Sequence, residues 1–131
     1  MANTMQFDLV SPERSLASLK VTAVQLPGSE GELTAMPGHW PMITTLKPGI
    51  LTVTADGEVL EFAVTGGFAD ISAEGATVLA EQAFEKGPEG RAAVEAELAQ
   101  ARAAAEAAKG PERDTATELV YDFVHLLENM Q

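Results

Sequence analysis

The sequence contains no cysteine, few aromatic residues and few basic residues. The absence of cysteine and the shortage of basic residues each exclude classes of protein. Without cysteine the chain has no disulfide, no catalytic thiolate and no cysteine-ligated zinc or iron–sulfur site. Eight lysines and arginines stand against twenty acidic residues, a formal net charge of −12, so the chain lacks a basic face for phosphate groups. We therefore expect neither nucleic acid nor an anionic lipid surface as a partner.

Long apolar runs are also missing. No run approaches the roughly 20 residues of a membrane-spanning helix. The first ten residues, MANTMQFDLV, have neither the basic region nor the apolar stretch of a signal peptide. These two observations predict a soluble, intracellular protein with no direct lipid insertion.

Alternating apolar residues dominate the first two thirds of the chain. Met5, Phe7 and Leu9 fall on one face of a first strand, and Val21 and Ala23 alternate in the next clear run. Such alternation is typical of strands that bury one face. Short strands at close spacing with glycine turns predict an all-β sandwich or barrel.

Two hairpins are visible between these strands. Asp56-Gly57 separates two β-rich runs, and a type I′ turn favours this pair because both of its central residues need positive φ. A second hairpin turns at Ala73-Glu74-Gly75. The segment Thr65-Gly66-Gly67 has no phosphate-loop spacing and predicts a bulge or a strand corner.

Helix-forming residues replace the strand pattern after Phe84. Residues 91–109 predict one helix, which ends at Gly110-Pro111 with Lys109 in its last turn. A second helix is expected to begin near Glu112 or Asp114. Its apolar residues form one stripe: Ala116, Leu119, Val120, Phe123, Val124, Leu127 and Met130.

The first helix is mainly alanine, with Val94 and Leu98 as its only larger apolar residues. Small side chains let helices approach closely, so an antiparallel hairpin is predicted. The fold class is therefore α+β, with a β-sandwich over residues 1–84 and a two-helix hairpin over residues 85–131. The hairpin packs on the sandwich, on a partner, or alternates between them.

Residues 26–41, LPGSEGELTAMPGHWP, contain three glycines and three prolines, and predict neither a helix nor an ordinary strand. Glu30 and Glu32 lie at its tip, where a solvated turn or a docking role is expected, because an acid–base pair would need an apolar pocket. The chain has two histidines. His39 is interpreted as a packing or hydrogen-bonding residue of the loop and not as a metal ligand, and His125 as the edge of a helix contact.

A set of motifs matches a known family. G-S-E-G-E-L, P-G-H-x-P and K-P-G follow one another, and a T-G-G strand and a T-V-L-A strand come after them. Over about residues 7–84 the chain closely resembles the ε subunit of F-type ATP synthases, which is called δ in mitochondria. The helical half agrees with this family in layout but poorly in sequence.

The resemblance implies a ten-stranded sandwich with a helical hairpin, in a non-catalytic rotor subunit that needs no cofactor. The sandwich would bind the γ subunit on one face and the membrane c-ring at one end, at the cytoplasmic face of a bacterial plasma membrane. The ring-side residues implied by position are Glu30, Gly31, Glu32 and His39, in a loop shaped by Pro37, Gly38 and Pro41.

In many bacterial relatives the helical tail regulates rotation, and in some it binds ATP through an Asp three residues ahead of an Arg. Arg91 aligns with that Arg, but Pro88 occupies the acidic position. Residues 114–131 contain no lysine or arginine, although the family's second helix is expected to carry basic residues. These departures argue against nucleotide binding.

Charge also argues against inhibition by the tail. From Glu85 onward the chain has five basic and ten acidic residues. The family's extended tail meets an acidic segment of the catalytic α/β subunits, where like charges repel. We predict that the tail inhibits ATP hydrolysis weakly or not at all and mainly stabilises the folded state.

Two other classes compete with the rotor interpretation. A free-standing β-sandwich that binds a small ligand or sugar would expose several aromatics on a concave face, and only Trp40 is an obvious candidate. A small hydrolase would use Glu30 or Glu32 with His39. Both rank below the rotor subunit.

Overall fold

A computed structural model describes residues 4–130 and confirms the predicted fold class. Ten strands precede two helices. The strands are β1 Met5–Val10, β2 Ser15–Val21, β3 Ala23–Gly28, β4 Gly31–Ala35, β5 Met42–Leu46, β6 Gly49–Ala55, β7 Glu58–Val64, β8 Gly67–Ile71, β9 Gly75–Ala80 and β10 Ala83–Glu85. The helices are α1 Pro88–Ala107 and α2 Pro111–Glu128.

The strands are hydrogen-bonded in the order β10-β7-β6-β3-β5-β8-β9-β1-β2, and β4 pairs with β3. The β1–β9 pair is parallel and the other pairs are antiparallel. The sheet folds over one apolar core, to which nearly every strand contributes alternate residues. The largest fully buried members from the strands include Met5, Phe7, Leu9, Leu26, Leu51 and Ile71.

Both predicted hairpins are confirmed. β6 and β7 are joined by Asp56 at φ 46° and Gly57 at φ 82°, the positive φ values that a type I′ turn requires. β8 and β9 pair in register from Gly67 opposite Ala80 to Ile71 opposite Ala76. Both turns therefore lie where the sequence predicted them.

The expected alternation of Val21 and Ala23 is wrong. The chain bends at Thr22, whose backbone amide donates to the Thr54 carbonyl oxygen at 2.8 Å, so one expected strand becomes β2 and β3. Val21 and Val24 are the fully buried residues, and Ala23 is half-buried. The bend inverts the alternation because it adds one residue between the two inward positions.

Residues 26–41 are also more regular than predicted. Leu26 to Gly28 end β3, and Gly31–Ala35 form β4, which pairs with β3 from Gly28 opposite Gly31 to Val24 opposite Ala35. Pro27 lies within β3, and its carbonyl oxygen accepts a hydrogen bond from the Lys47 amide at 3.0 Å. Only residues 36–41 remain an irregular connection between strands.

Helix α1 begins earlier than expected. Pro88 occupies its first turn, where a missing backbone donor costs nothing, so the helix starts before Arg91. It ends at Ala107, and Lys109 lies beyond its last turn, contrary to the prediction. Helix α2 likewise begins at a proline, Pro111, and not at Glu112 or Asp114.

The helices form the predicted antiparallel hairpin, which packs on the β6–β7–β10 side of the sandwich. A second core cluster joins Val94 and Leu98 of α1, Phe123 and Leu126 of α2, and Ala63 of β7. Because β7 is covered on both faces, Phe62, Ala63 and Val64 are buried in succession. The predicted stripe omitted the buried Leu126 and included Leu119, which is 38% exposed. Within residues 4–130 no helix is long and apolar enough to cross a membrane.

Candidate functional site

A row of apolar and weakly polar side chains crosses the outer face of four strands. Thr45 of β5 lies opposite Phe68 of β8, Phe68 opposite Leu79 of β9, and Leu79 opposite Val10 of β1. Phe68 is 44% exposed, and Leu79 is exposed as well. We call Val10, Thr45, Phe68 and Leu79 the outer row. Alternation within each strand turns these side chains away from the sandwich core.

An open groove of about 750 Å³ extends from the outer row to the helical hairpin. Leu119 of α2 lines its far side, together with Pro12 and Pro48 from two turns. Ile43, the next outward residue of β5 after Thr45, is also exposed. A contiguous apolar surface on a chain with twelve net negative charges is a candidate contact for another protein.

The two carboxylates of the predicted loop lie on the β3–β4 hairpin. Glu30 occupies the exposed turn between the strands, and Glu32 is the second residue of β4. Gln25 donates to the Glu32 carboxylate at 3.2 Å from the adjacent strand. Both carboxylates face solvent, as a solvated turn or a docking contact requires.

Residues 36–41 form a fixed turn at the other end of β4. The His39 amide donates to the Met36 carbonyl oxygen and the Gly38 amide to that of Ala73, each at 3.0 Å. The His39 Nδ1 lies 2.6 Å from the Trp40 carbonyl oxygen and therefore carries the proton of this hydrogen bond, since a carbonyl only accepts. Gly38 needs its glycine, because its φ is 87°.

The predicted site residues are therefore spread along one edge. β4 has five residues, so the Glu30 turn and the loop that holds His39 begin roughly 17 Å apart, at about 3.3 Å per residue. Gly31 and Glu32 lie at the first end, and Pro37, Gly38, His39 and Pro41 at the second. A hydrolase that couples Glu30 to His39 is not supported by this separation. In the described residues no group of three or more acidic or histidine side chains could hold a metal ion.

Arg91, the one residue that aligned with the family's nucleotide site, is occupied within the tail. Its guanidinium donates to the Leu127 carbonyl oxygen at 3.0 Å and pairs with Glu95 at 3.2 Å. Leu127 lies in the last turn of α2, and its carbonyl oxygen also accepts from the Met130 amide at 3.1 Å. Arg91 thus ties the start of α1 to the end of α2 and holds the hairpin closed.

A second polar contact lies where α2 meets the sandwich. Asp122 of α2 faces a cleft with Lys47, Pro48 and His125. Burial raises the pKa of Asp122 above its usual value and nearby Glu118 raises it further, whereas Lys47 and His125 lower it. His125 itself is exposed on α2. Partly compensated charges therefore line the boundary between α2 and the sandwich, beside the apolar cluster that joins them.

Comparison with known proteins decides the family. The family model described as "ATP synthase, Delta/Epsilon chain, beta-sandwich domain" matches residues 4–86. The chain belongs to the ATP synthase delta/epsilon chain family. Among its similar relatives, the ATP synthase epsilon chain of Paracoccus denitrificans is 53% identical, in an alignment that covers 100% of this chain and 88% of the relative. That of Rhodobacter capsulatus is 55% identical over 94% of this chain and 93% of the relative.

Solved structures share the fold of this delta/epsilon family member. A chain of the Euglena gracilis mitochondrial ATP synthase superposes with a TM-score of 0.75 at 22% identity, covering 96% of this chain and 80% of that one. A chain from the Tetrahymena thermophila mitochondrial ATP synthase central stalk and c-ring superposes with a TM-score of 0.68 at 19% identity. The superposition covers 97% of this chain and 96% of that one. At these identities the likeness concerns the fold alone. The relatives do not favour a free-standing ligand-binding module.

The outer row of this family member was not found from the sequence. Phe68 and Leu79 each alternate with buried residues in FADIS and ATVLA, so their outward orientation could have been inferred. Their meeting across β8 and β9 depends on the register of the hairpin. Leu119 was assigned to the helical core, and its exposure beside the groove appears only once the helices are docked.

Proposed function

We propose that this chain is a non-catalytic central-stalk subunit of a proton-translocating F-type ATP synthase, and that it couples rotor parts by binding two of them. The observation that carries the proposal is the apolar outer row with its groove on an otherwise strongly acidic surface. Membership of the delta/epsilon family supplies the complex in which such a surface would be covered. The bacterial relatives favour the cytoplasmic face of a plasma membrane.

The γ subunit is the partner proposed for the outer row. Phe68, Leu79 and Ile43 are exposed in the free chain, and their burial against a partner would remove apolar surface from water. The groove continues to Leu119, so a long apolar element such as a helix could contact the sandwich and the tail together. The β-sheet beneath the row holds these side chains in place, so binding orders little new backbone.

We expect Phe68→Ala to weaken γ binding by about tenfold, because loss of a central aromatic contact typically costs on the order of 1–2 kcal/mol. The matched control is Val59→Ala, since Val59 is also an exposed apolar strand residue but lies on β7, away from the row. Copurification and titration with purified γ measure both variants. Equal weakening by the two substitutions, or by neither, would remove the outer row as the γ surface.

The second proposed contact joins the β4 edge to the membrane c-ring. Glu30, Gly31 and Glu32 would contact the ring at one end of β4, and His39 at the other. Pro37, Gly38 and Pro41 would fix the shape of the second end. The backbone hydrogen bonds of residues 36–41 support this proposal because a pre-ordered loop loses little entropy on docking.

For the tail we propose a structural role with little inhibition of ATP hydrolysis. Its net negative charge disfavours extension onto the acidic segment of the catalytic subunits that the resemblance implies, and the Arg91–Leu127 contact ties its two helices together. We expect the full-length chain and a truncation after Lys86 to bind stripped catalytic heads and to leave ATP hydrolysis equally fast. Cutting after Lys86 keeps β10 and the pairing of Lys86 with Glu61 at 3.5 Å. Suppression by the full-length chain alone would show that the tail is an inhibitor.

A further inference from the structure

The loop of residues 36–41 displays the most exposed large apolar side chain of the described residues. Trp40 is 84% exposed, although tryptophan is usually well buried. Met36 is exposed beside it in the same loop. Neither residue belongs to the core clusters or to the outer row, so neither side chain contributes to the packing of the described residues.

The backbone beneath Trp40 is held on both sides. The carbonyl oxygen of Trp40 accepts from His39 at 2.6 Å, the His39 amide closes the turn onto Met36, and Gly38 anchors the loop to Ala73. An indole on such a base contributes large contact area with only two side-chain torsions to order. Exposed tryptophans on an ordered backbone of this kind are typical of binding hot spots.

The surroundings of Trp40 define the charge of its partner. Residues 22–46 and 67–80, which build and support the loop, contain no lysine or arginine. The carboxylate beside the loop is Glu74, which directly follows the Ala73 carbonyl that accepts from Gly38, whereas Glu30 and Glu32 lie at the far end of β4. With carboxylates at both ends and no lysine or arginine, this edge of the sheet repels anionic lipid headgroups and a second copy of this acidic chain. It attracts a protein surface that carries lysine or arginine beside an apolar patch.

We propose that Trp40 is the anchor of the membrane-side contact, its indole packing against a basic protein loop whose guanidinium or ammonium group lies over the ring on the side of Glu74. The ring face attracts a cation, most strongly an arginine, whose planar head also stacks. This inference rests on the proposed function, which makes the c-ring the partner of this edge; the basic character of the contacting loop is inferred from the charge of the edge. It adds Trp40 to the Glu30, Glu32 and His39 contact as the residue that contributes most of the affinity.

The test uses the fact that the chain contains a single tryptophan. Full-length protein labelled with 5-hydroxytryptophan, whose emission can be excited apart from that of ordinary tryptophan, is added to ATP synthase stripped of this subunit. Acrylamide quenching then reports the exposure of Trp40 in the free chain, with γ alone, with neutral or anionic vesicles, and in the complete complex. We expect Trp40 to be shielded only in the complete complex.

Substitutions measure its contribution to affinity. Trp40→Ala should weaken binding to the complex that retains its c-ring by about 30-fold, the equivalent of a hot-spot loss of about 2 kcal/mol, and should leave binding to γ alone unchanged. Trp40→Phe should recover part of the loss. Tyr121→Ala is the matched control, because Tyr121 is 70% exposed but lies on α2.

The outcomes separate the inference from the function on which it rests. If the chain assembles but Trp40 stays as exposed as in the free protein, the anchor is wrong and the rotor assignment stands. Shielding of Trp40 by γ alone or by vesicles would contradict the inference that a basic loop of the ring binds it. A chain that fails to assemble with the stripped complex would refute the proposed function and the anchor together.

Discussion

Gly67→Ala is expected to destabilise the protein by about 3 kcal/mol or more. Gly67 is the first residue of β8 and pairs with both Leu46 and Ala80 at the corner where β7 turns into β8. A Cβ at this position would lie within 2.1 Å of the Leu79 carbonyl oxygen and 2.9 Å of the Ala80 Cα. These are backbone atoms within a sheet, so the strands themselves would have to move.

The matched control is Gly31→Ala. Gly31 has φ 134° and Gly67 has φ 130°, so both substitutions carry a similar backbone strain, of order 1–3 kcal/mol. A Cβ at Gly31 meets nothing within 4 Å. Urea unfolding of the two variants therefore isolates the steric cost at Gly67, which we expect to be about 2 kcal/mol. Equal destabilisation by the two substitutions would mean that the β8–β9 backbone moves to accommodate the new Cβ at no cost in free energy of unfolding.

Leu126→Ala is expected to destabilise the helical hairpin by roughly 2–5 kcal/mol, the usual cost of truncating a fully buried leucine. Leu126 is 1% exposed within the cluster that joins α1, α2 and Ala63 of β7. The cavity would lie between the helices and the sheet, apart from the sandwich core. Amide hydrogen exchange should therefore show α1 and α2 opening more often, with smaller changes in β1 and β9.

Leu119→Ala provides the control for Leu126→Ala. The two leucines are seven residues apart on α2, about two helical turns, so helix propensity and face are nearly the same. Leu119 is 38% exposed, and we expect its truncation to cost less than about 1 kcal/mol in the isolated chain. Similar losses for both variants in urea unfolding would contradict the burial that distinguishes them.

The candidate site could be predicted from the sequence only where it is contiguous in the chain. The set of motifs from Gly28 to the T-V-L-A strand indicated the family, and those between Gly28 and Pro41 gave the residues proposed for the ring contact. The outer row could not be found in this way, because Val10, Phe68 and Leu79 become neighbours only through the β1–β9 and β8–β9 registers. Likewise, Arg91 reaches Leu127 only when the two helices lie antiparallel.

Local chemistry determined much of the fold without reference to the rest of the chain. Asp56-Gly57 specifies its own hairpin, because the positive φ values that the turn needs are intrinsic to those residues. The strand alternation of β1 and the alanine-rich composition of α1 likewise express local preferences that agree with the final structure. The absence of cysteine and the charge of −12 excluded whole classes of chemistry in the same way.

Tertiary structure decided the features in which distant groups compete with local preference. Residues 31–35 became strand β4 although glycine and proline surround them, because pairing with β3 satisfies backbone groups that a loop would leave to water. Thr22 became a bend through its hydrogen bond to Thr54. Leu119 and Leu126 share a helix face, yet Leu126 is buried in the cluster with α1 and Ala63, whereas Leu119 borders the open groove and stays exposed. Burial depends on what packs against a residue, and no local pattern contains that information.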